Sequence, residues 1–357
     1  MRNIALFTAY PYWNGQNGAC TRIRALAGYL AERARLTVVY MGRAAGIEID
    51  HPHRGRLAAF WHFPRSSHAQ RREAIRKSIA ERLSATPPEL AIFEYLHVTW
   101  ANPGFPATTT VVDAMDIVSR RNAAARALGY EPDGSLSEEE EFANLSRFDY
   151  IAFIQDEDRD YGAAKLPRGR CLLVPHAVEI ANVDRAPGPP CAGMVASNAR
   201  HNIVALEWLD GKVAPLLKSQ ERIMICGPIC GLPLAPFKFP RLRMRGRADD
   251  LRNFYREIDV ALVPLPYGSG LKIKAVEAMG YGRPVIATHA GAQGLRDAVG
   301  RGLVVADTPE DYAAALNRLL GDEEERKRLG ALAQAYAAEH FTPDSCFRPL
   351  LDLPLRG

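Results

Sequence analysis

Cysteine is sparse: six residues, at 20, 171, 191, 226, 230 and 346, are too scattered to frame a disulfide-stapled fold. Several fall inside apolar stretches, as reduced core thiols do in a cytosolic protein. Cys226 and Cys230 stand as CxxxC with no second pair and no neighbouring histidine, which favours packing over zinc. Long apolar runs are missing too. The longest, 223–237, is broken by three prolines and two glycines, so nothing reaches membrane-spanning length. The opening Met1-Arg-Asn-Ile-Ala-Leu-Phe-Thr has too short an apolar part for a secretory leader. Net charge is only +4, with no concentrated basic face or readable motif, which argues against nucleic acid as a partner. A GxGxxG fingerprint and a GxxxxGK[ST] loop are both absent, which counts against a dehydrogenase and a P-loop enzyme.

What is present is ordinary globular usage, 47% hydrophobic and 24% charged, in a chain of 357 residues that exceeds what one core fills. Apolar runs read as strands at 4–9, 36–42, 90–95, 109–113, 150–154 and 171–174, with a weaker one at 57–63. Helical patterns at 19–34, 66–84, 118–128, 137–147 and 157–164 lie between them. A second block repeats the style, with strands at 193–196, 222–226, 242–245, 260–264, 285–288 and 303–306. Its helices run near 201–217, 249–257, 271–280, 309–320 and 323–339. Such alternation implies βαβ crossovers and doubly wound parallel sheets. The proline-dense Asp184-Arg-Ala-Pro-Gly-Pro-Pro190 reads as a semi-rigid linker. The expected domains are therefore 1–184 and 185–340, with a tail at 341–357.

One stretch carries most of the chemistry: Pro264-Leu-Pro-Tyr-Gly-Ser-Gly-Leu-Lys-Ile-Lys-Ala-Val-Glu-Ala-Met-Gly280. It reads as strand end, glycine loop and helix. Gly268 and Gly270 allow a tight turn, and the helix behind them offers free N–H groups and the positive end of its dipole. Lys272 and Lys274 add full charges, so the loop is suited to a phosphate. Glu277 is a carboxylate among Ala275, Val276, Ala278 and Met279, where a charge needs partners. The two hydroxyls of a ribose would supply them.

This segment resembles the nucleotide-sugar site of glycosyltransferase family 4, retaining enzymes of the GT-B fold, in the variant whose loop reads Gly-x-Gly-x-Lys-x-Lys. The resemblance implies two Rossmann-like α/β domains facing a cleft, with donor on the second and acceptor on the first. It implies Glu277 for the ribose, and Lys272 or Lys274 for the diphosphate. Backbone N–H groups of Gly268, Ser269, Gly270 and Leu271 are implied around the donor. Many relatives carry an earlier glutamate that would fall at Ser269, so the transferred sugar is not readable here. Val174-Pro-His-Ala-Val-Glu179 is similar to the family's Pro-Asn-Gly-Val-Asp segment, departing at His176 and Ala177. Arg245-Gly-Arg-Ala-Asp-Asp-Leu251 and Tyr255 to Pro264 follow the family's order, and the tail resembles its closing segment, which crosses back to the first domain.

Other candidates are less specific. Asn14-Gly-Gln-Asn-Gly18 follows the first strand, so Gly15 and Gly18 are either a turn before a helix or a close backbone approach to ligand. Asp113 and Asp116 end a buried strand where relatives place an acid or histidine near acceptor or sugar; Asp116 alternatively caps the next helix. Arg120 and Arg121 either pair with those acids or reach an anionic acceptor. Arg200 stands where the family often has a basic diphosphate contact, or is a surface arginine. Gln155-Asp-Glu-Asp-Arg-Asp160 reads as acids at a helix start, not as a calcium loop. Glu138 to Glu141 follows Ser137, and Ser137 with Glu140 reads as a capping box on a solvated helix. The basic helix near 65–84 either buries its Ile75, Ile79, Leu83 stripe or meets an anionic membrane surface.

The expected activity is transfer of a sugar, with retention, from a nucleoside diphosphate sugar to the hydroxyl of a glycan or lipid-linked acceptor. Bacterial-type polysaccharide or glycoconjugate synthesis in the cytoplasm is the implied setting. No metal and no cofactor beyond the donor are expected. The alternatives are a nucleotide-sugar epimerase and a non-catalytic nucleotide-sugar-binding protein on the same fold.

Overall fold

The structure, a computed structural model, describes all residues except 15–16, 44–52, 133, 168, 219–222, 234–237 and 357. It divides into two compact units: Met1–Ser119 with Gly134–Ala177 and Pro343–Gly357, and Arg120–Asp133 with Val178–Thr342.

The first unit is built on seven parallel strands: β1 Asn3–Thr8, β2 Arg35–Tyr40, β3 Ala59–His62, β4 Leu90–Glu94, β5 Thr109–Asp113, β6 Tyr150–Phe153 and β7 Cys171–Leu173. Their order is β3-β2-β1-β4-β5-β6-β7. Every residue of β4 and β5 is buried, because crossover helices cover both sheet faces. The helices of this unit are α1 Gly18–Arg33, α2 Ala69–Leu83, α4 Glu138–Leu145 and α5 Asp156–Ala163, while α3 Val118–Ala127 starts in it at Val118 and Ser119 and counts with the second unit from Arg120. The stripe of α2, Ile75, Ile79 and Leu83, lies in the core, and Arg72 and Arg82 lay their guanidinium groups over Trp100 and Trp61. Ser137 and Glu140 form the expected capping box on α4. Glu141 of the same helix is buried, contrary to a solvated face. It takes the Val118 and Ser119 N–H groups at 2.8 Å each, so it is Glu141 that caps α3.

The second unit repeats the topology with β8 Ala192–Val195, β9 Ile223–Cys226, β10 Leu242–Gly246, β11 Val260–Val263, β12 Val285–Ala287 and β13 Leu303–Val305. These six strands run parallel in the order β10-β9-β8-β11-β12-β13. Helices α6 Arg200–Trp208, α7 Leu251–Glu257, α8 Ile273–Gly280, α9 Pro309–Gly321 and α10 Glu323–His340 flank them. The sequence suggests one helix to residue 217. It closes earlier, through a π turn at Leu209–Val213 and a 3-10 turn at Ala214–Leu216, because Pro215 has no N–H to continue the ladder. In each sheet the order reverses beside the first strand, between β1 and β4 and between β8 and β11. Ligands of open α/β sheets bind at such points.

The units part before residue 185, at Ala177 and Val178. Residues 178–190 are pinned along the second unit: Val178 N–H donates to Phe341 O, Ala181 N–H to Gly280 O, and Arg185 pairs with Asp259 at 2.9 Å. The tail forms a helix, α11 Pro343–Leu351, within the first unit. Tyr29 donates to Asp344 at 2.8 Å, and Cys346, Phe347 and Leu350 are buried, each large apolar side chain contributing about 1.5–3 kcal/mol.

Candidate functional site

Strand β11 is buried end to end, and Pro264 to Leu271 then carries the chain from its carboxyl end to α8. Gly270 has φ of 69°, a left-handed conformation that lets the loop turn straight into the helix. Lys272 sits at the N-cap with extended backbone and no side-chain cap. Its ammonium folds back into the loop instead. It donates to Ser269 O at 3.1 Å, Gly270 O at 2.6 Å and Gln293 Oε1 at 3.2 Å. A Cβ at Gly268 would lie 3.1 Å from Lys272 Cε, close enough that the lysine side chain would have to shift by about a few tenths of an ångström.

Lys274, one turn position on, points elsewhere. Its Nζ donates to Asn202 Oδ1 at 2.7 Å, and Asn202 is itself oriented by donating to Ser197 O at 3.1 Å and Ser197 Oγ at 3.0 Å. Burial and the neighbouring Lys272 charge push the Lys274 amine down to about 7, with Glu277 opposing. Glu277 is pushed up to about 7 by burial, with Lys274 opposing. Both side chains keep some exposed surface, so each has an open side. The Glu277 carboxylate makes no hydrogen bond to any described residue, while the Tyr255 hydroxyl reaches the Lys274 carbonyl at 3.4 Å. His201 lies beside this group, and burial with the charges of Lys274, Lys272 and Arg121 drives it down to about 3. A neutral His201 then rests edge-on against Tyr267, whose other neighbour is the stacked ring of Tyr130, 5.1 Å away.

The second unit therefore brings together Gly268, Ser269, Gly270, Leu271, Lys272, Lys274 and Glu277, as the resemblance implies. Arg200 heads α6 but is exposed and takes no described partner; Asn202, two residues on, is the residue of that helix that hydrogen-bonds Lys274. Asn202 and Gln293 were not foreseen. Only their tertiary placement marks them, since a lone amide carries no signal in sequence.

In the first unit, Gly15 lies outside the described residues, and Gly18 starts α1 behind Asn17, whose side chain caps the Cys20 N–H at 2.9 Å. Asp113 is 1% exposed and held by fully buried Arg22, which donates to its Oδ2 from Nε at 2.9 Å and Nη2 at 2.7 Å. Arg22 also donates to Pro175 O and Val174 O. Asp113 thus serves as a counterion inside the unit, with no face toward solvent. Asp116 is buried beyond it, after Met115 at φ 54°. Glu94, paired across the ladder with Asp113, has no side-chain hydrogen-bond partner among the described residues, and burial with the Asp113 charge raises it well above the carboxylate range. His176, one of the departures from the family segment, is buried near Arg22 and driven down to about 3.

Two parallel doubly wound units define the GT-B fold. Solved structures agree across nearly the whole chain: Anabaena HepE in complex with UDP-glucose matches with a TM-score of 0.74 at 15% identity, covering 98% of both chains. A sucrose-phosphate synthase from Thermosynechococcus elongatus gives 0.74 and 15%, covering 98% and 97%. Residues 189–322 match the glycosyl transferases group 1 family. A D-inositol 3-phosphate glycosyltransferase of Geodermatophilus obscurus is 30% identical over 256 residues, 60% of this chain and 54% of that protein. One from Streptomyces bingchenggensis is 36% identical over 115 residues, 32% of this chain and 25% of its own length. The chain thus spans between a fifth and about half of the length of such curated relatives. The match to the glycosyl transferases of group 1 lies within the second unit, and the solved structures extend the likeness in fold to the first.

Proposed function

We propose that this protein transfers a sugar from a nucleoside diphosphate sugar to an acceptor hydroxyl, with retention at the anomeric carbon. The observation that carries the reading is the amine of Lys274, one side held by Asn202 and the other open, beside a stapled glycine loop at the start of α8. Departure of the diphosphate is the difficult event, because negative charge grows on its outer oxygens. A preorganised amine with helix N–H groups stabilises that charge without reorganisation. Glu277, with no hydrogen bond to any described residue, suits the paired hydroxyls of a ribose. HepE, of the same fold, was solved with UDP-glucose, which supports a nucleotide sugar as donor.

The acceptor is a glycan or a lipid-linked glycan, and bacterial-type polysaccharide or glycoconjugate synthesis at the cytoplasmic side is the setting we favour. Among the described residues no helix is long and apolar enough to cross a membrane. A peripheral contact would fall to exposed Arg71, Lys77 and Arg82 of α2, and flotation with anionic liposomes tests it.

A thermal-shift panel of UDP-, GDP-, ADP- and dTDP-sugars identifies the donor, since ligand that binds only the folded state raises its stability by mass action. With that donor, Lys274→Ala is expected to lower kcat/KM by about 10² to 10³. Normal turnover by that variant refutes the phosphate assignment. Conversion of donor without acceptor would instead indicate an epimerase.

A further inference from the structure

We propose that Asn202 is a positioning residue of the diphosphate site: it presents one oxygen to the Lys274 amine and keeps that amine aimed and charged, while Lys272 serves the loop and not the ligand. The inference rests on the donor-binding reading above and divides the work of two lysines that the sequence treats alike.

Geometry separates them. The Lys272 ammonium has three N–H donors, and three acceptors of the second unit take them: two loop carbonyls and Gln293. It is 8% exposed, and its bonds to Ser269 O and Gly270 O close the loop into the turn from which α8 starts. A phosphate could recruit this amine only by unpairing buried carbonyls, each at the desolvation cost of an unsatisfied acceptor. Lys274 has one described acceptor, Asn202 Oδ1, which leaves two N–H donors for a ligand.

Asn202 is 2% exposed and cannot flip freely. Both Nδ2 bonds go to Ser197, which fixes the amide with its oxygen toward Lys274. That oxygen is the amine's one described hydrogen-bond acceptor, and the Glu277 charge also favours an amine otherwise crowded by burial and Lys272. The other ionisable neighbours are Glu277 on α8, His201 on α6 with Arg121 beside it, and Tyr255 on α7. His201 stays neutral, so Glu277 is the other group here that is shifted to near pH 7. An arriving diphosphate adds the negative charge that Asn202 alone cannot provide, and the amine then remains protonated to higher pH.

The test is isothermal titration with inorganic pyrophosphate, and separately UDP, from pH 5.5 to 9, in the wild type and in a Glu277→Gln background that removes the other titration. Pyrophosphate's own titration is common to all proteins and cancels in the comparison. Asn202→Ala is expected to weaken binding about 10-fold and to move the midpoint of its pH dependence downward, since the charged amine loses its hydrogen bond. Asn202→Asp places a carboxylate beside the amine and should move the midpoint upward by about one unit or more. Ser197→Ala lets the amide rotate and should move the midpoint the same way as Asn202→Ala, by less; it decides the matter if Asn202→Ala does not fold. Lys272→Met should raise amide hydrogen exchange across Gly268 to Leu271 and weaken pyrophosphate less than Lys274→Met does. Folded Asn202 and Ser197 variants that lose affinity equally at every pH, with an unmoved midpoint, overturn the proposal. So does Lys272→Met weakening binding as much as Lys274→Met with loop exchange unchanged. A wild type that takes neither pyrophosphate nor UDP overturns the donor reading, and this inference with it.

Discussion

Replacing Lys274 by methionine should stabilise the empty protein while abolishing its response to pyrophosphate. In the unfolded chain this amine titrates near 10.5; in the folded second unit burial and Lys272 bring it to about 7. At pH 7 that difference costs the folded state on the order of 4 kcal/mol. Solvent on the open side of the site screens part of the cost, and the variant leaves Asn202 Oδ1 without its donor, worth about 1 kcal/mol. A net gain of about 1–2 kcal/mol remains, because methionine keeps most of the aliphatic contact. The comparison is best made between Glu277→Gln and the double variant Glu277→Gln/Lys274→Met, so that the carboxyl's titration drops out. Folding lowers the amine's pKa, so between about pH 7 and 10.5 the unfolded chain carries the extra proton and wild-type-like stability rises with pH. The cost is fully present below 7 and gone above 10.5. Chemical unfolding at pH 7 and pH 10 should therefore show the gap between the two proteins closing. A double variant less stable at pH 7, or a gap that stays constant, refutes the reasoning that this amine is held at the expense of stability for a ligand.

The remaining expectations concern both units. Glu277→Ala should weaken binding of the matching nucleoside diphosphate while leaving inorganic pyrophosphate nearly unaffected, and equal affinity for the nucleotide removes the ribose role. Arg22→Met strands the buried Asp113 carboxylate and should destabilise the first unit by about 3–5 kcal/mol, with Arg22→Met/Asp113→Leu recovering most of it in denaturant titrations. Gly280→Ala puts a Cβ 2.4 Å from the Glu179 carbonyl oxygen and should lower stability by about 1–3 kcal/mol. His176 is held neutral by burial, so the first unit should lose stability as pH falls from 6.5 toward 3, and His176→Leu should flatten that slope in acid unfolding.

Residue pattern alone determined the strands, most helices, the glycine loop and the order of Lys272, Lys274 and Glu277, because β-branched runs, glycine turns and caps act over a few neighbouring residues. Two lysines two positions apart look equivalent on paper. Only the folded second unit distinguishes them, by bringing Ser269, Gly270 and Gln293 around one amine and Asn202, more than seventy residues away, against the other. The same holds for Asp113, whose acid reads as facing a ligand at a strand end until Arg22 of α1 arrives to pair with it, and for Glu141, which looks solvated until α3 needs its N–H groups capped. Local periodicity is written in the chain; which buried polar group meets which is decided by long-range packing, since each must find a partner from whatever the fold places beside it.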